Sequence, residues 1–292
     1  MIAITGATGN IGSKITADLL SKGQNVRCIA RTADNLKGFA AQGSDIATIS
    51  LEDKAALSNA FKDIDAIFAM IPPHYQALDF RAFQNTIGAS IAKAVETSGV
   101  KYVVNLSSQG AHLPDKTGPI KGLRDQEQRL NKLKGVNILH MRPTYFMENL
   151  LANIDMIKQM NIMGSAIRAD MKIPMIATQD IAQYAAERLL RKDFSGITVK
   201  DLLGQRDVSM NEAAEIIGKK IDKPDLKYIQ FSYEDTETAL VGMGFSADVS
   251  GLFIEMIKAF NQELINTSRT QENTTDTRLE AFAEVFAKLF FA

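Results

Sequence analysis

The stretch that decides the fold is Met1-Ile2-Ala3-Ile4-Thr5-Gly6-Ala7-Thr8-Gly9-Asn10-Ile11-Gly12. An apolar run, Ile2 to Ile4, enters a glycine-rich loop, and an amphipathic segment follows with Ile11, Ile15, Leu19 and Leu20 at helical spacing up to Gly23. Strand, tight turn and helix in that order make a phosphate-binding unit. Gly6 lets the chain turn out of the strand, Gly9 leaves no Cβ in the way of a pyrophosphate, and Gly12 lets the helix pack close to the sheet. The helix N-terminus offers unpaired N–H groups and about half a positive charge. Thr8, Asn10 and Ile11 complete the cradle. The spacing is G-x-x-G-x-x-G rather than G-x-G-x-x-G, so the motif draws its weight from standing at the first strand. A glycine turn without a ligand is the bland alternative.

Outward from this unit, strands alternate with helical segments. Val26–Ala30 reads as a second strand, Ile46–Ile49 as a third and Lys101–Leu106 as a fifth. The fourth is the continuous apolar run Asp65–Ile71, of the kind buried on both faces of a parallel sheet, and Pro72-Pro73 end it. A long helix, Leu78–Ser98, stops at Gly99, and a charged helix, Leu123–Leu133, leads to a sixth strand, Val136–Met141. Such alternation means right-handed βαβ units with ligands at the C-terminal ends of the strands. The expected fold is α/β: a Rossmann-like, doubly wound parallel sheet with a small, mostly helical C-terminal substrate lobe. We assign residues 1–149 to the dinucleotide-binding domain, with 174–204 returning to it, and 150–173 and 205–292 to the smaller lobe. In the returning stretch, Asp180 and Gln183 resemble a capping box at the start of a helix. The methionines from Met147 to Met175 read as gap-filling core or as a plastic substrate pocket.

The cofactor preference is read after the second strand. NAD-selective sites place Asp or Glu there to accept from the ribose 2′-hydroxyl, whereas this chain has Ala30-Arg31-Thr32. Arg31 is a fork of donors suited to a 2′-phosphate, and Lys37 adds a charge or is simply solvated. NADP(H) is therefore expected over NAD(H).

Composition bounds the rest. The chain has 292 residues, 46% of them hydrophobic, and a net charge of −1 with no charged block, so no nucleic-acid surface or membrane patch is expected. No run approaches the roughly 18 apolar residues of a membrane helix. No signal peptide is expected, and we read the protein as cytoplasmic. Cys28 is the one cysteine, so there is no intrachain disulfide, and it reads as a buried, inert thiol. His74, His112 and His140 lack metal-ligand spacing, so no metal is expected.

TGATGNIG at Thr5–Gly12, the arginine after the second strand, SSQGA at Ser107–Ala111 and RPTYFMENL at Arg142–Leu150 together resemble the NmrA-like family, an atypical branch of the short-chain dehydrogenase/reductase superfamily. The resemblance covers nearly the whole chain. It implies a Rossmann domain that prefers NADP(H), with the adenine end near Arg31, Lys37 and Ser50 and the nicotinamide end near Met70, Pro72, Ser107 and Tyr145. Many relatives have Asp where this chain has Ser50. The loops at that end of the sheet offer His74, Tyr75, Gln109, Tyr145 and Phe146 as contacts for a small-molecule substrate.

One departure matters. The superfamily typically uses a Y-x-x-x-K pair for proton transfer, with a Ser after the fifth strand. Ser107 or Ser108 fits the Ser role, but no tyrosine occurs between Tyr102 and Tyr145. Lys121, Arg124 and Glu127 are substitutes in position only, and solvated helix charges are the simpler reading. No catalytic residue is assigned. Two functions remain: an NADPH-dependent oxidoreductase acting on a quinone-like, dye-like or activated-alkene substrate, or a non-catalytic NADP(H)-sensing regulator of NmrA type with a protein partner. A nucleotide-sugar epimerase normally keeps Tyr and Lys, and a methyltransferase usually wants an acid where Arg31 stands.

Overall fold

The computed structural model describes residues 1–292. The chain runs β1 (Ile2–Thr5), α1 (Gly12–Ser21), β2 (Val26–Ala30), α2 (Lys37–Ala41), β3 (Asp45–Thr48), α3 (Lys54–Ala60), β4 (Ala66–Ala69), α4 (Phe80–Ser98), β5 (Tyr102–Leu106), α5 (Ile120–Leu130) and β6 (Asn137–Pro143). It continues through α6 (Ile154–Met160), β7 (Ile162–Ser165), α7 (Thr178–Arg191), β8 (Ile197–Leu202), α8 (Met210–Lys220), β9 (Lys227–Gln230), α9 (Tyr233–Gly242), α10 (Ala247–Asn261) and α11 (Leu279–Phe291). Seven parallel strands form one sheet in the order β3-β2-β1-β4-β5-β6-β8, the Rossmann-like α/β arrangement expected from the sequence. Strand order reverses between β1 and β4. There the loops leaving the two strands open a crevice, the usual ligand position in such sheets.

Each face of the sheet has its own apolar core. Ile4, Phe68, Val104 and Met141 pack with Ile15 and Leu19 of α1 and Ile181, Ala185 and Leu189 of α7. Ile29, Ile67 and Val103 pack with Leu57 of α3, Ile87 and Ile91 of α4 and Leu130 of α5. A third core, built mainly from residues beyond 147, joins Met163, Met171 and Met175 to Ile217, Phe282 and Phe286. The methionine stripe is thus largely core, though Met160 is exposed.

Helix α1 shows which force wins locally. It has no side-chain cap and no acid in its first turn. A missing cap forgoes about 1 kcal/mol, whereas burying Ile15 and Leu19 contributes about 1.5–3 kcal/mol each. Tertiary burial therefore holds the helix, and its N-terminal N–H groups stay free.

Several local expectations change. The long helix begins at Phe80, capped by Asp79, not at Leu78, and α5 begins at Ile120, just after Pro119. Asp180 does not cap α7; its carboxylate accepts from the backbone N–H of Thr277, 3.1 Å, and from the Thr277 hydroxyl, 2.5 Å. The cap comes from Glu148, which accepts from the Thr178 backbone N–H at 3.0 and 3.1 Å and also engages the Thr178 hydroxyl and Lys14 of α1. A second sheet pairs β7 with β9 in parallel. Its strands have four residues each, too short for a clear alternating pattern.

Buried polar groups fix the middle of the sheet. His140 is fully buried, with Nδ1 3.1 Å from Asn105 Nδ2 and Nε2 2.9 Å from Asn131 Oδ1, a pattern met by a neutral ring protonated at Nε2. Burial pushes its pKa down to about 4 from the usual 6.5. Above pH 6.5 the ring is neutral in both folded and unfolded chains. Between 6.5 and 4 only the unfolded chain takes the proton, so stability falls with pH, by roughly 3 kcal/mol at pH 4. Urea unfolding across this range should show the loss in the wild type and a flatter profile in His140→Gln. An unchanged profile contradicts the assignment.

Candidate functional site

The first wall of the crevice is the loop from Gly6 to Gly12. Gly6 has φ +64°, and a Cβ there would meet Met70 Sδ at 2.7 Å. A Cβ on Gly12 would collide with the Gly6 carbonyl, so this glycine serves close packing of helix and strand. Gly9 differs: its Cβ would touch only the Gly6 oxygen, at 3.4 Å. The protein's own packing does not require a glycine at position 9. A ligand lying over the exposed crown Thr8-Gly9-Asn10 would. The N–H groups of Thr8, Asn10, Ile11 and Gly12 have no intramolecular acceptor, while those of Ala7, Gly9 and Ser13 do. Four free donors at an uncapped helix N-terminus are what a diphosphate needs.

The two sides of the crevice are pinned by Thr5. Its buried hydroxyl donates to the Phe68 carbonyl and accepts from the Met70 N–H, both at 3.0 Å. Arg31, just past β2, is exposed and its guanidinium has no partner in the chain. It is a free cation at the end of β2, the strand next to β1. Lys37 is not comparable: it pairs with Asp34 at 2.7 Å, both strongly exposed. Ser50 is exposed and its hydroxyl accepts from the Glu52 N–H at 3.3 Å.

At the other end, Met70 and Pro72 are half-buried beyond β4. The Ser107 N–H donates to the Met141 carbonyl at 2.8 Å. Its hydroxyl is buried beside Glu127 without a full hydrogen bond. Glu127 receives two bonds from Arg142, at 2.9 and 2.6 Å. Burial works to raise the Glu127 pKa, but Arg142, Ser107 and His140 together outweigh it and the carboxyl stays below its usual range. Tyr145 is half-buried, its phenol donates to no group in the chain, and burial raises its pKa well above the usual value. Phe146 packs on the sheet core and is bridged to Ile176.

The charges of α5, expected from the sequence to be solvated, are paired. Lys121 lies 3.1 Å from Glu255, Arg124 donates to the carbonyls of Ala111 and His112 at 3.2 and 2.7 Å, and Glu127 is taken by Arg142. Each is tied to another part of the chain.

A cavity of about 390 Å3 opens beside the end of β5. Gln109, buried and two residues past Ser107, is one wall; Met171, Ile173, Phe260 and Ile265 supply apolar surface, and Arg168 and Glu263 polar groups. Ile265 closes tightly over Gly110, whose φ of +87° and missing Cβ make room for it. Of the substrate contacts expected from the sequence, only Gln109 lines this cavity. The His74 ring stands edge-on to Phe83 at 4.9 Å, and Tyr75 stacks on Phe245 at 4.4 Å. Both are occupied in joining the loop after β4 to α4 and to the α9–α10 corner. Arg168 and the 260–267 turn escaped sequence reading, because they come from segments without a motif. No group of His, Cys, Asp or Glu is arranged to hold a metal ion, and no helix is long and apolar enough to cross a membrane.

Comparison with known proteins accords with this geometry. The chain is 24% identical to a (4-alkanoyl-5-oxo-2,5-dihydrofuran-3-yl)methyl phosphate reductase of Streptomyces griseus, over 82% of this chain and 80% of that one. Among solved structures it is similar to an NADPH-dependent quinone oxidoreductase of Escherichia coli complexed with NADPH: TM-score 0.78, 23% identity, 99% of this chain and 100% of that one. It is also similar to the triphenylmethane reductase of a Citrobacter species complexed with NADP(H): TM-score 0.82, 16% identity, 98% and 99% covered. The model of the NmrA-like family matches residues 1–283, and the chain belongs to that family.

Proposed function

We propose that this chain is an NADPH-dependent oxidoreductase that reduces a small quinone-like, dye-like or activated-alkene acceptor held in the cavity beside Gln109. The observation that carries the reading is the pairing of four free N–H donors on the loop at Gly6–Gly12 with an unpartnered Arg31, at the same C-terminal end of the parallel sheet from which Gln109 enters the cavity. The relatives named above as reductases and oxidoreductases support it.

The loop and α1 would hold the diphosphate, Arg31 the 2′-phosphate, and Met70, Pro72, Ser107 and Tyr145 the nicotinamide end. NADPH supplies hydride, two electrons with one proton; a second proton completes the reduced acceptor. Tyr145, un-ionised, offers its free phenol O–H at the nicotinamide end rather than in the cavity. With the α5 charges tied up, the second proton comes from water. The residues therefore act by positioning, which suits acceptors that take hydride without strict general-acid help.

The same tied charges favour a second reading, a regulator that binds NADP(H) without turning it over. Substrate-dependent NADPH oxidation across a panel of quinones, dyes and enones separates the two. Turnover above buffer is expected, and none on any acceptor, with tight NADPH binding, favours the regulator.

Two substitutions test the cofactor site. Arg31→Ala should weaken NADPH by roughly 10- to 100-fold, the worth of a charge-assisted bond, and leave NADH nearly unchanged; equal losses in titration contradict the assignment. Gly9→Val should weaken both cofactors at least about tenfold with little change in melting temperature. Gly12→Ala, by contrast, should lower the melting temperature, since its Cβ has no room.

A further inference from the structure

The cavity beside Gln109 carries a charge pattern that the proposed function leaves open. Five of its lining residues are ionic: Arg168, Lys172, Asp170, Asp207 and Glu263. Neither cation is free. Arg168 donates to Asp170 at 3.3 and 3.2 Å and to Glu263 at 3.2 Å, and Lys172 lies 2.9 Å from Glu212. Asp207 is paired with Arg269. Arg168 thus faces two carboxylates and leaves one negative charge in excess. The Arg168 guanidinium holds the Asp170 carboxyl below its usual range, so that charge persists at neutral pH.

Arg168 is also fixed in place. Its N–H donates to Asn261 Oδ1 at 2.9 Å and its guanidinium to the Asn261 carbonyl at 3.2 Å, so it clasps the 166–174 segment to the 261–267 turn. Releasing it towards a ligand would break two ion pairs and loosen a wall. The remaining lining is apolar, or neutral as in Gln109, Asn266 and Thr267. A carboxylate, sulfonate or phosphate entering here meets surplus negative charge and no cation without a carboxylate partner, a repulsive element that disfavours it.

We propose that the acceptor bound in this cavity is uncharged or cationic, and that Asp170 and Glu263 exclude anionic acceptors by occupying Arg168. This inference rests on the cavity's being the acceptor site of the proposed oxidoreductase. The volume, about 390 Å3, suits a one- or two-ring molecule.

The test compares naphthoquinone with naphthoquinone sulfonate as acceptors for the NADPH-loaded protein. The wild type should show a KM for the sulfonate at least about tenfold higher, and raising salt should narrow the ratio by screening. Asp170→Asn/Glu263→Gln, which frees Arg168, should lower the sulfonate-to-neutral KM ratio about tenfold or more. The two acceptors differ in reactivity, but that difference is common to both proteins, so the change in ratio reports the cavity. A wild-type KM for the sulfonate equal to or below that of the neutral quinone overturns the proposal, as does a ratio unmoved by the double substitution. If the double variant does not fold, the wild-type ratio and its salt dependence decide alone. Should neither quinone be reduced, the wider acceptor panel decides the oxidoreductase reading. Equilibrium binding of naphthol against naphthalene sulfonate then tests the cavity separately, and equal affinities overturn the inference.

Discussion

The structure depends on how closely α1 approaches β1. A Cβ at Gly12 would strike the Gly6 carbonyl, and one at Gly6 would strike Met70. Only glycine at both positions lets the helix start directly above the strand end. That start places free N–H groups over the point where strand order reverses. Thr5 holds the crevice at fixed width by bonding across to β4. Burial of Ile15 and Leu19, rather than capping, fixes the helix, so its N-terminus is available to an anion without loss of fold stability.

The segment after β6 ties this unit to the rest. Arg142 locks α5 through Glu127, and Glu148 caps α7 while reaching Lys14 on α1. One short run of sequence thereby connects α1, α7 and α5. Its charges serve architecture, which under the proposed reading leaves positioning as the protein's contribution. The cavity shows the same habit: every cation that lines it is engaged by a carboxylate.

The parts legible in the sequence were those encoded locally. Glycine spacing and the apolar run of β4 announce the sheet and the crevice between β1 and β4 because each acts through its own backbone or its immediate neighbours. Less was legible where partners are remote. Asp180 carries the sequence signature of a cap, yet it bonds Thr277, and Glu148 takes its place from 30 residues away. Lys121 and Glu127 look solvated on a helical wheel but are paired with Glu255 and Arg142. The cavity walls meet only when the chain around Arg168 and Asn261 is folded, 93 residues apart. Periodicity has no access to such pairings.

The central claim is that this crevice delivers hydride from NADPH to an acceptor in the neighbouring cavity. The most direct measurement uses NADPH deuterated at the transferring carbon with an uncharged activated alkene, followed by mass analysis of the product. The account predicts one deuterium on the reduced carbon, with transfer from a single face of the nicotinamide. Tight NADPH binding with no label reaching any acceptor would contradict it.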